Sequence, residues 1–143
     1  MTIVQSTDTA NSIVGSWKLV SFQFVSEGSD KRFDAYDEHP EGFAIFTEAR
    51  VLFLLTADDR LATAPAGELF DLMMAYSGRY RMEGDRIITT VDSAWHPAWI
   101  GIEQTRVFKR DGDTLALMAA DFLEFPKFPG QRVRGTVMWQ RER

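Results

Sequence analysis

The chain has 143 residues, which is enough for one domain and too few for two. Its hydrophobic share of 45% and charged share of 26% are typical of a globular protein, not of a disordered or membrane-spanning one. With 16 basic and 21 acidic side chains the net charge is −5, which argues against nucleic acid as a partner because phosphate binding needs clustered Lys and Arg. The absence of cysteine excludes disulfides, zinc–thiolate sites and thiol nucleophiles.

The start of the chain carries no targeting pattern. Residues 1–12 contain no Lys or Arg and no apolar run long enough for the core of a signal peptide. No later stretch reaches the ~18 apolar residues of a membrane helix. We therefore expect a flexible lead over residues 1–12, one domain over residues 13–143, a location in the cytoplasm and no membrane partner.

Short apolar runs separated by turn residues are typical of an all-β domain. The first run is Gly15–Val25, in which Trp17 and Leu19 share one face. Phe22 and Phe24 lie at the opposite parity, which predicts a bulge between the two pairs.

The remaining predicted strands follow at similar spacing, and hairpin turns at Gly84-Asp85 and Asp111-Gly112-Asp113 separate two pairs of them. Ahead of these two hairpins, the segment Glu68–Tyr76 has apolar residues spaced by three and four among strong helix formers. This spacing predicts a single short helix. The strands are Phe43–Thr47, Val51–Thr56, Gly78–Glu83, Arg86–Asp92, Glu103–Arg110, Thr114–Ala120 and Val133–Arg141.

About eight strands joined mostly by hairpins must either stack as a sandwich or close on themselves. The first and last strands each carry a tryptophan, Trp17 and Trp139, and closure brings these strands side by side. A closed barrel of this size holds its own side chains or one small ligand. We therefore predict an all-β fold, a closed antiparallel up-and-down β-barrel of about eight strands with one short helix.

Several short motifs occur in a consistent order from about Gly15 to Arg141. They are Gly15-Ser16-Trp17, Tyr76-Ser77-Gly78-Arg79-Tyr80, Pro97-Ala98-Trp99-Ile100-Gly101, Gln104-Thr105-Arg106-Val107-Phe108, Gly112-Asp113-Thr114-Leu115-Ala116-Leu117 and Val137-Met138-Trp139-Gln140-Arg141. Together they resemble the bacterial lipocalin-like domain family, whose fold is a barrel of the lipocalin or calycin type. The resemblance implies an apolar cavity for small molecules. It also implies a cation–π stack of Arg141 on Trp17 beneath the barrel floor.

Arg106 is the first candidate for a ligand contact. It lies in mid-strand between Gln104 and Phe108, and if that face points inward the buried cation needs a partner. A ligand carboxylate, enolate or phenolate suits the planar guanidinium fork. The alternative is an internal ion pair with Asp92 or Glu103.

The two histidines are weaker candidates. His96 lies in the aromatic loop Trp95–Trp99, expected at one barrel end, where a group with a pKa near ~6.5 can act as an acid or a base. The alternative is a surface histidine, and His39 is interpreted as a turn residue. Without a His-x-His or His-Glu-x-x-His spacing we expect no metal site, and without a Gly-rich phosphate loop or a dinucleotide motif we expect no cofactor.

Two tyrosines flank the predicted junction of helix and strand. Tyr76 and Tyr80 present hydroxyls to the cavity in one interpretation and fill the core in the other. The helix residues Leu69, Leu72 and Met73 are interpreted as a plug for the barrel mouth. A loop with three phenylalanines, Phe122, Phe125 and Phe128, covers a barrel rim or forms the contact of a homodimer.

The sequence favours a cytoplasmic protein that binds one small hydrophobic or aromatic molecule in the barrel cavity. An alternative is a cofactor-independent isomerase, cyclase or lyase acting on an aromatic or polyketide-like substrate, with His96, Arg106 and Tyr80 as catalytic candidates. A third is a barrel packed solid that acts through a dimer surface. The predicted ligand-binding residues are Tyr76, Tyr80, His96, Trp99, Arg106, Phe108 and Trp139.

Overall fold

Ten strands make up most of the chain in the computed structural model, which describes residues 12–36, 38–58, 60–124 and 128–143. A helix, α1 (Ala66–Asp71), precedes the fifth strand, and a 3₁₀ helix (Pro97–Trp99) follows the sixth. The strands are β1 (Gly15–Ser26), β2 (Arg32–Asp34), β3 (Glu41–Phe46), β4 (Arg50–Thr56), β5 (Met73–Glu83), β6 (Arg86–Ala94), β7 (Glu103–Asp111), β8 (Thr114–Ala119), β9 (Leu123–Glu124) and β10 (Arg132–Arg141).

Eight of these strands form a closed antiparallel barrel. Each strand from β3 to β7 pairs with the next, β8 pairs with β10, and β1 joins β10 to β3. The short strands β2 and β9 extend the sheet beside β1 and β10. The prediction of a closed all-β barrel with one short helix is confirmed.

The predicted bulge lies in β1. Against β10, Leu19 pairs with Trp139, but the next pair joins Ser21 to Met138, so one residue of β1 is extra. Because side chains alternate along a strand, this insertion lets both Trp17 and Phe22 point into the barrel. Both are buried.

Alternation of side chains separates the inside of the barrel from the outside in several strands. In β4 the buried residues Val51, Phe53 and Leu55 alternate with the exposed Leu52 and Leu54. The strand β3 follows the same period of two, whereas β6 buries three residues in succession. The inward side chains form the core.

The two ends of the barrel are built differently. Short turns at residues 47–49, 84–85 and 112–113 close the end that we call the floor. The long connections meet at the other end, the mouth, and they carry β2, α1, the 3₁₀ helix and β9. Nothing helical in the described ranges is long and apolar enough to cross a membrane.

The prediction of a helix over Glu68–Tyr76 was wrong in its second half. The helix α1 ends at Asp71, and β5 begins at Met73. Met73 to Tyr76 pair with β4, where Tyr76 lies opposite Phe53. Backbone pairing with a neighbouring strand outweighs the helix propensity of Leu and Met here, because each unpaired backbone group at this buried edge would cost free energy.

The floor is held by the cation–π stack that the resemblance implied. The guanidinium carbon of Arg141 lies 4.3 Å from the ring centroid of Trp17, which is fully buried. Nη1 and Nη2 of Arg141 donate hydrogen bonds to the carbonyls of Val14 and Ser12 at 3.0 and 2.7 Å. The indole N–H of Trp17 donates to the Ile13 carbonyl at 2.9 Å, so the segment before β1 is tied to the last strand.

Replacing Arg141 by Met should therefore destabilise the whole barrel. The variant loses the stack and two hydrogen bonds from a charged donor, and we expect the free energy of unfolding to fall by about 2–4 kcal/mol in urea denaturation. The matched control is Arg143→Met, which removes an arginine that is 71% exposed and paired with Asp113 at the surface. Equal losses in the two variants would contradict the proposed role of the stack.

Candidate functional site

A cavity of about 340 Å³ occupies the mouth half of the barrel. This volume lies at the lower end of the ~300–1,000 Å³ typical of small-molecule sites. Most of its wall is aliphatic or aromatic. The described residues that line it are Phe22, Phe24, Phe53, Leu55, Met74, Tyr76, Trp99, Gln104, Arg106, Leu117, Ala119, Leu123, Gly135, Val137 and Trp139.

The strand alternation explains which residues reach the cavity. β10 contributes every second residue, Gly135, Val137 and Trp139. A Cβ atom at Gly135 would lie 3.4 Å from Cε1 of Phe22, so the glycine leaves space that a side chain would fill. The hollow therefore depends on small residues at chosen positions as well as on barrel closure.

Arg106 brings a positive charge into this apolar wall. It is half-buried, and its Nη1 donates a hydrogen bond to the Thr105 carbonyl at 3.0 Å. Asp92 and Glu103, the expected alternatives for an internal ion pair, bind other arginines at 2.8 and 3.1 Å. Within the described residues no carboxylate pairs with Arg106.

Tyr76 adds a buried phenol to the same wall. It is 6% exposed, and its ring centroid lies 5.0 Å from that of Phe53 and 5.2 Å from that of Trp99. Burial raises the pKa of Tyr76, and the nearby charge of Arg106 opposes this effect. The hydroxyl therefore stays protonated at neutral pH, and it has no hydrogen-bond partner in the part of the chain that the structure describes.

The indole N–H of Trp139 is a third donor beside the cavity. Trp139 is 1% exposed, and its Nε1 has no acceptor among the described residues. A buried donor without an acceptor is rare in folded proteins because it costs free energy. The Trp139 ring forms part of the cavity wall, but the indole nitrogen itself lies buried within the core.

Three predicted ligand-binding residues do not line the cavity. The hydroxyl of Tyr80 donates to the Thr47 carbonyl at 2.6 Å, near the floor. His96 is exposed, and its Nδ1 accepts a hydrogen bond from the Ala98 backbone N–H at 3.1 Å, which caps the 3₁₀ helix. Phe108 packs against the core outside the cavity wall.

Aromatic side chains form the rim of the mouth. Trp95 lies 5.0 Å from Trp99 and 6.0 Å from Phe70 of α1, measured between ring centroids. The ring of His96 lies 5.7 Å from Phe70 on the outer side. The helix therefore sits at the mouth, although none of its residues is fully buried.

The phenylalanine loop contributes to the mouth as well. Phe128 is buried, and its ring lies 4.8 Å from that of Phe33 in β2. Phe125 lies outside the described residues. The homodimer contact expected for this loop stays a prediction.

Sequence reasoning missed several residues that line the cavity. Met74 lay in the predicted helix, and Leu123 lay in a predicted loop. Phe22 and Phe24 were recognised as one face of β1, and the bulge was the signal that this face points inward. No cluster of three or more potential metal ligands occurs in the described ranges.

Comparison with known proteins identifies the fold family. A profile of the lipocalin-like domain matches residues 14–142, nearly the whole chain. The chain belongs to the lipocalin-like domain family. A lipocalin-like barrel suggests small-molecule binding in general.

This lipocalin-like barrel is also similar to a solved structure, that of an uncharacterized protein from Bacteroides eggerthii DSM 20697. The two share 15% identity over 90% of this chain and 98% of that chain, with a TM-score of 0.43. No curated protein matches the sequence.

Alkaline pH should destabilise this lipocalin-like barrel through its buried phenols. Burial raises the pKa of Tyr36 from 10.0 to about 12 and raises that of Tyr76 as well. The unfolded chain then ionises first, so the stability is fully present below about pH 10 and is lost as the pH rises through the folded values. We expect urea denaturation from neutral pH to about pH 12 to show this loss.

The Tyr36→Phe variant identifies the origin of that loss. It lacks one of the ionising groups, so its free energy of unfolding should fall less steeply with pH than that of the parent. Identical slopes in the two proteins would show that Tyr36 ionises as easily in the folded state as in the unfolded one.

Proposed function

We propose that the protein binds one small hydrophobic or aromatic molecule in the barrel cavity. The supporting observation is the largely apolar cavity of about 340 Å³ in the mouth half of the barrel, lined by side chains of the core. Protein interiors are close-packed, and an apolar hollow lacks the dispersion contacts that a filled core would have. A bound apolar molecule would supply these contacts and remove apolar wall area from water.

The aromatic wall supports an aromatic ligand. Phe22 and Phe24 lie 5.7 Å apart between ring centroids, and Tyr76 lies within 5.2 Å of both Phe53 and Trp99. Rings at such distances interact favourably in tilted or edge-to-face geometry. A ligand ring between the Phe22–Phe24 pair and the rings around Tyr76 would make further tilted or edge-to-face contacts.

The proposal includes a cytoplasmic location and a small molecule as the partner, rather than nucleic acid or a membrane. The net charge of −5 supports this choice because a nucleic-acid surface needs a cluster of basic residues.

The alternative is a cofactor-independent isomerase, cyclase or lyase for an aromatic or polyketide-like substrate. The charge of Arg106 in the cavity supports it, since a guanidinium stabilises an enolate. His96 and Tyr80, two of the three catalytic candidates, are not among the lining residues. The phenol that does line the wall, Tyr76, has a pKa raised by burial, so it stays protonated at neutral pH and is not available as a base. Ligand binding is therefore supported better than proton transfer.

A neutral apolar fluorophore tests the binding proposal. N-phenylnaphthylamine should give a saturable rise in emission with the wild-type protein. The Ala119→Phe variant places a ring in the cavity wall, so its affinity should fall at least about tenfold.

The matched control is Ala49→Phe, the same change at an exposed position in the turn between β3 and β4 at the floor. It should bind like the wild-type protein. Absence of saturable binding to the wild type, or equal losses in both variants, would contradict binding in the cavity.

A further inference from the structure

We propose that the ligand is an anionic aromatic acid whose carboxylate is bound by Arg106, with its rings in the apolar part of the cavity. The inference rests on the proposed function, because it names the chemical class of the molecule in the same cavity. It follows from the charge and the hydrogen-bonding groups of the cavity wall and from the volume of the cavity.

The charge of Arg106 lacks a partner within the described residues. A guanidinium carries five N–H donors, and the hydrogen bond to the Thr105 carbonyl uses one of them. Three other arginines differ in this respect: Arg50, Arg81 and Arg132 pair with exposed carboxylates at 2.7–3.1 Å. A cation held in a largely apolar wall favours an incoming anion, since a carboxylate matches the guanidinium fork.

The other polar groups of the wall carry no negative charge. The Tyr76 hydroxyl has no acceptor in the described structure, whereas the unpaired Trp139 indole N–H is buried away from the cavity space. Among the lining residues that the structure describes there is no Asp, Glu or His, and the Gln104 amide is the side chain with a strong acceptor oxygen. Such a wall is complementary to a ligand rich in acceptors and opposes an amine.

Arg106 and the aromatic rings around Tyr76 belong to one cavity wall. Trp99 packs on the Tyr76 ring with 5.2 Å between the ring centroids, and both residues line the cavity together with Arg106. The positive charge of Arg106 lowers the pKa of the Tyr76 phenol, against the larger effect of burial. One carboxylate can therefore accept from the guanidinium while its aromatic body contacts the rings.

The volume limits the size of the acid. At ~30 Å³ per water molecule in the liquid, a cavity of about 340 Å³ corresponds to roughly 11 waters. A two-ring aromatic acid is of this order, whereas a long-chain lipid is not. We therefore choose naphthalene derivatives as probes.

The test uses three probes that differ in one group. The anion 2-naphthoate, the neutral 2-naphthamide and the cation 2-naphthylmethylamine are titrated calorimetrically into the wild-type protein at neutral pH. We expect 2-naphthoate to bind at least about tenfold more tightly than 2-naphthamide, because a hydrogen bond to a charged group adds affinity. The amine should bind more weakly than either.

The Arg106→Met variant should lose about ten- to a hundredfold in affinity for 2-naphthoate and keep its affinity for 2-naphthamide within about twofold. The control is Arg79→Met, which removes the same charge from an exposed position of β5. It should bind all three probes like the wild type. Arg106→Gln, which keeps a polar side chain, replaces the methionine variant if that variant does not fold by circular dichroism.

The outcomes separate the two proposals. Equal affinities for 2-naphthoate and 2-naphthamide, or an unchanged 2-naphthoate affinity in the Arg106 variant, would overturn the anionic ligand and leave small-molecule binding intact. Equal losses of 2-naphthoate affinity in the Arg106 and Arg79 variants would also overturn it, because net charge alone would explain them. Failure of all three naphthalene probes and of N-phenylnaphthylamine to bind would overturn both proposals.

Discussion

The pairing of β1 with β10 is the constraint on which the rest of this structure depends. It joins the first and last strands from Trp17–Arg141 at the floor to Ser26–Val133 at the mouth. Without it the chain would be an open sheet with two unpaired edges and one apolar face in water. With it, the inward side chains face one another across the interior, so they are buried and the hollow is surrounded by strands.

The same pairing explains why the two halves of the barrel differ. At the floor, Arg141 covers Trp17 and ties the segment before β1 to the last strand, so this end is packed with side chains. Toward the mouth, Gly135 and Ala119 leave space between larger residues. The long connections at the mouth place Trp99 beside that space. The packed floor therefore stabilises a barrel whose mouth stays open.

Much of the fold could be predicted because hairpin turns and a period of two are local signals. The change of parity after Leu19 predicted the bulge, and the presence of one tryptophan in each terminal strand favoured closure. The strand over Met73–Tyr76 could not be predicted, since its helix formers are overruled by pairing with β4, a contact distant in sequence. Local propensity carries no information about that partner.

The sequence indicated which strand faces point into the barrel but not how far along the barrel axis each residue lies. Tyr80, Arg106 and Phe108 were all expected inside, yet of these only Arg106 lines the cavity, since alternation gives the side of a strand and not the height along the barrel. We propose that the hollow of the closed barrel binds a small acid, and a crystal structure with 2-naphthoate can decide this. We expect density for the rings beside Phe24 and Tyr76 and for the carboxylate at Arg106. A cavity filled by its own side chains, with the acid absent or bound on the outer wall, would contradict it.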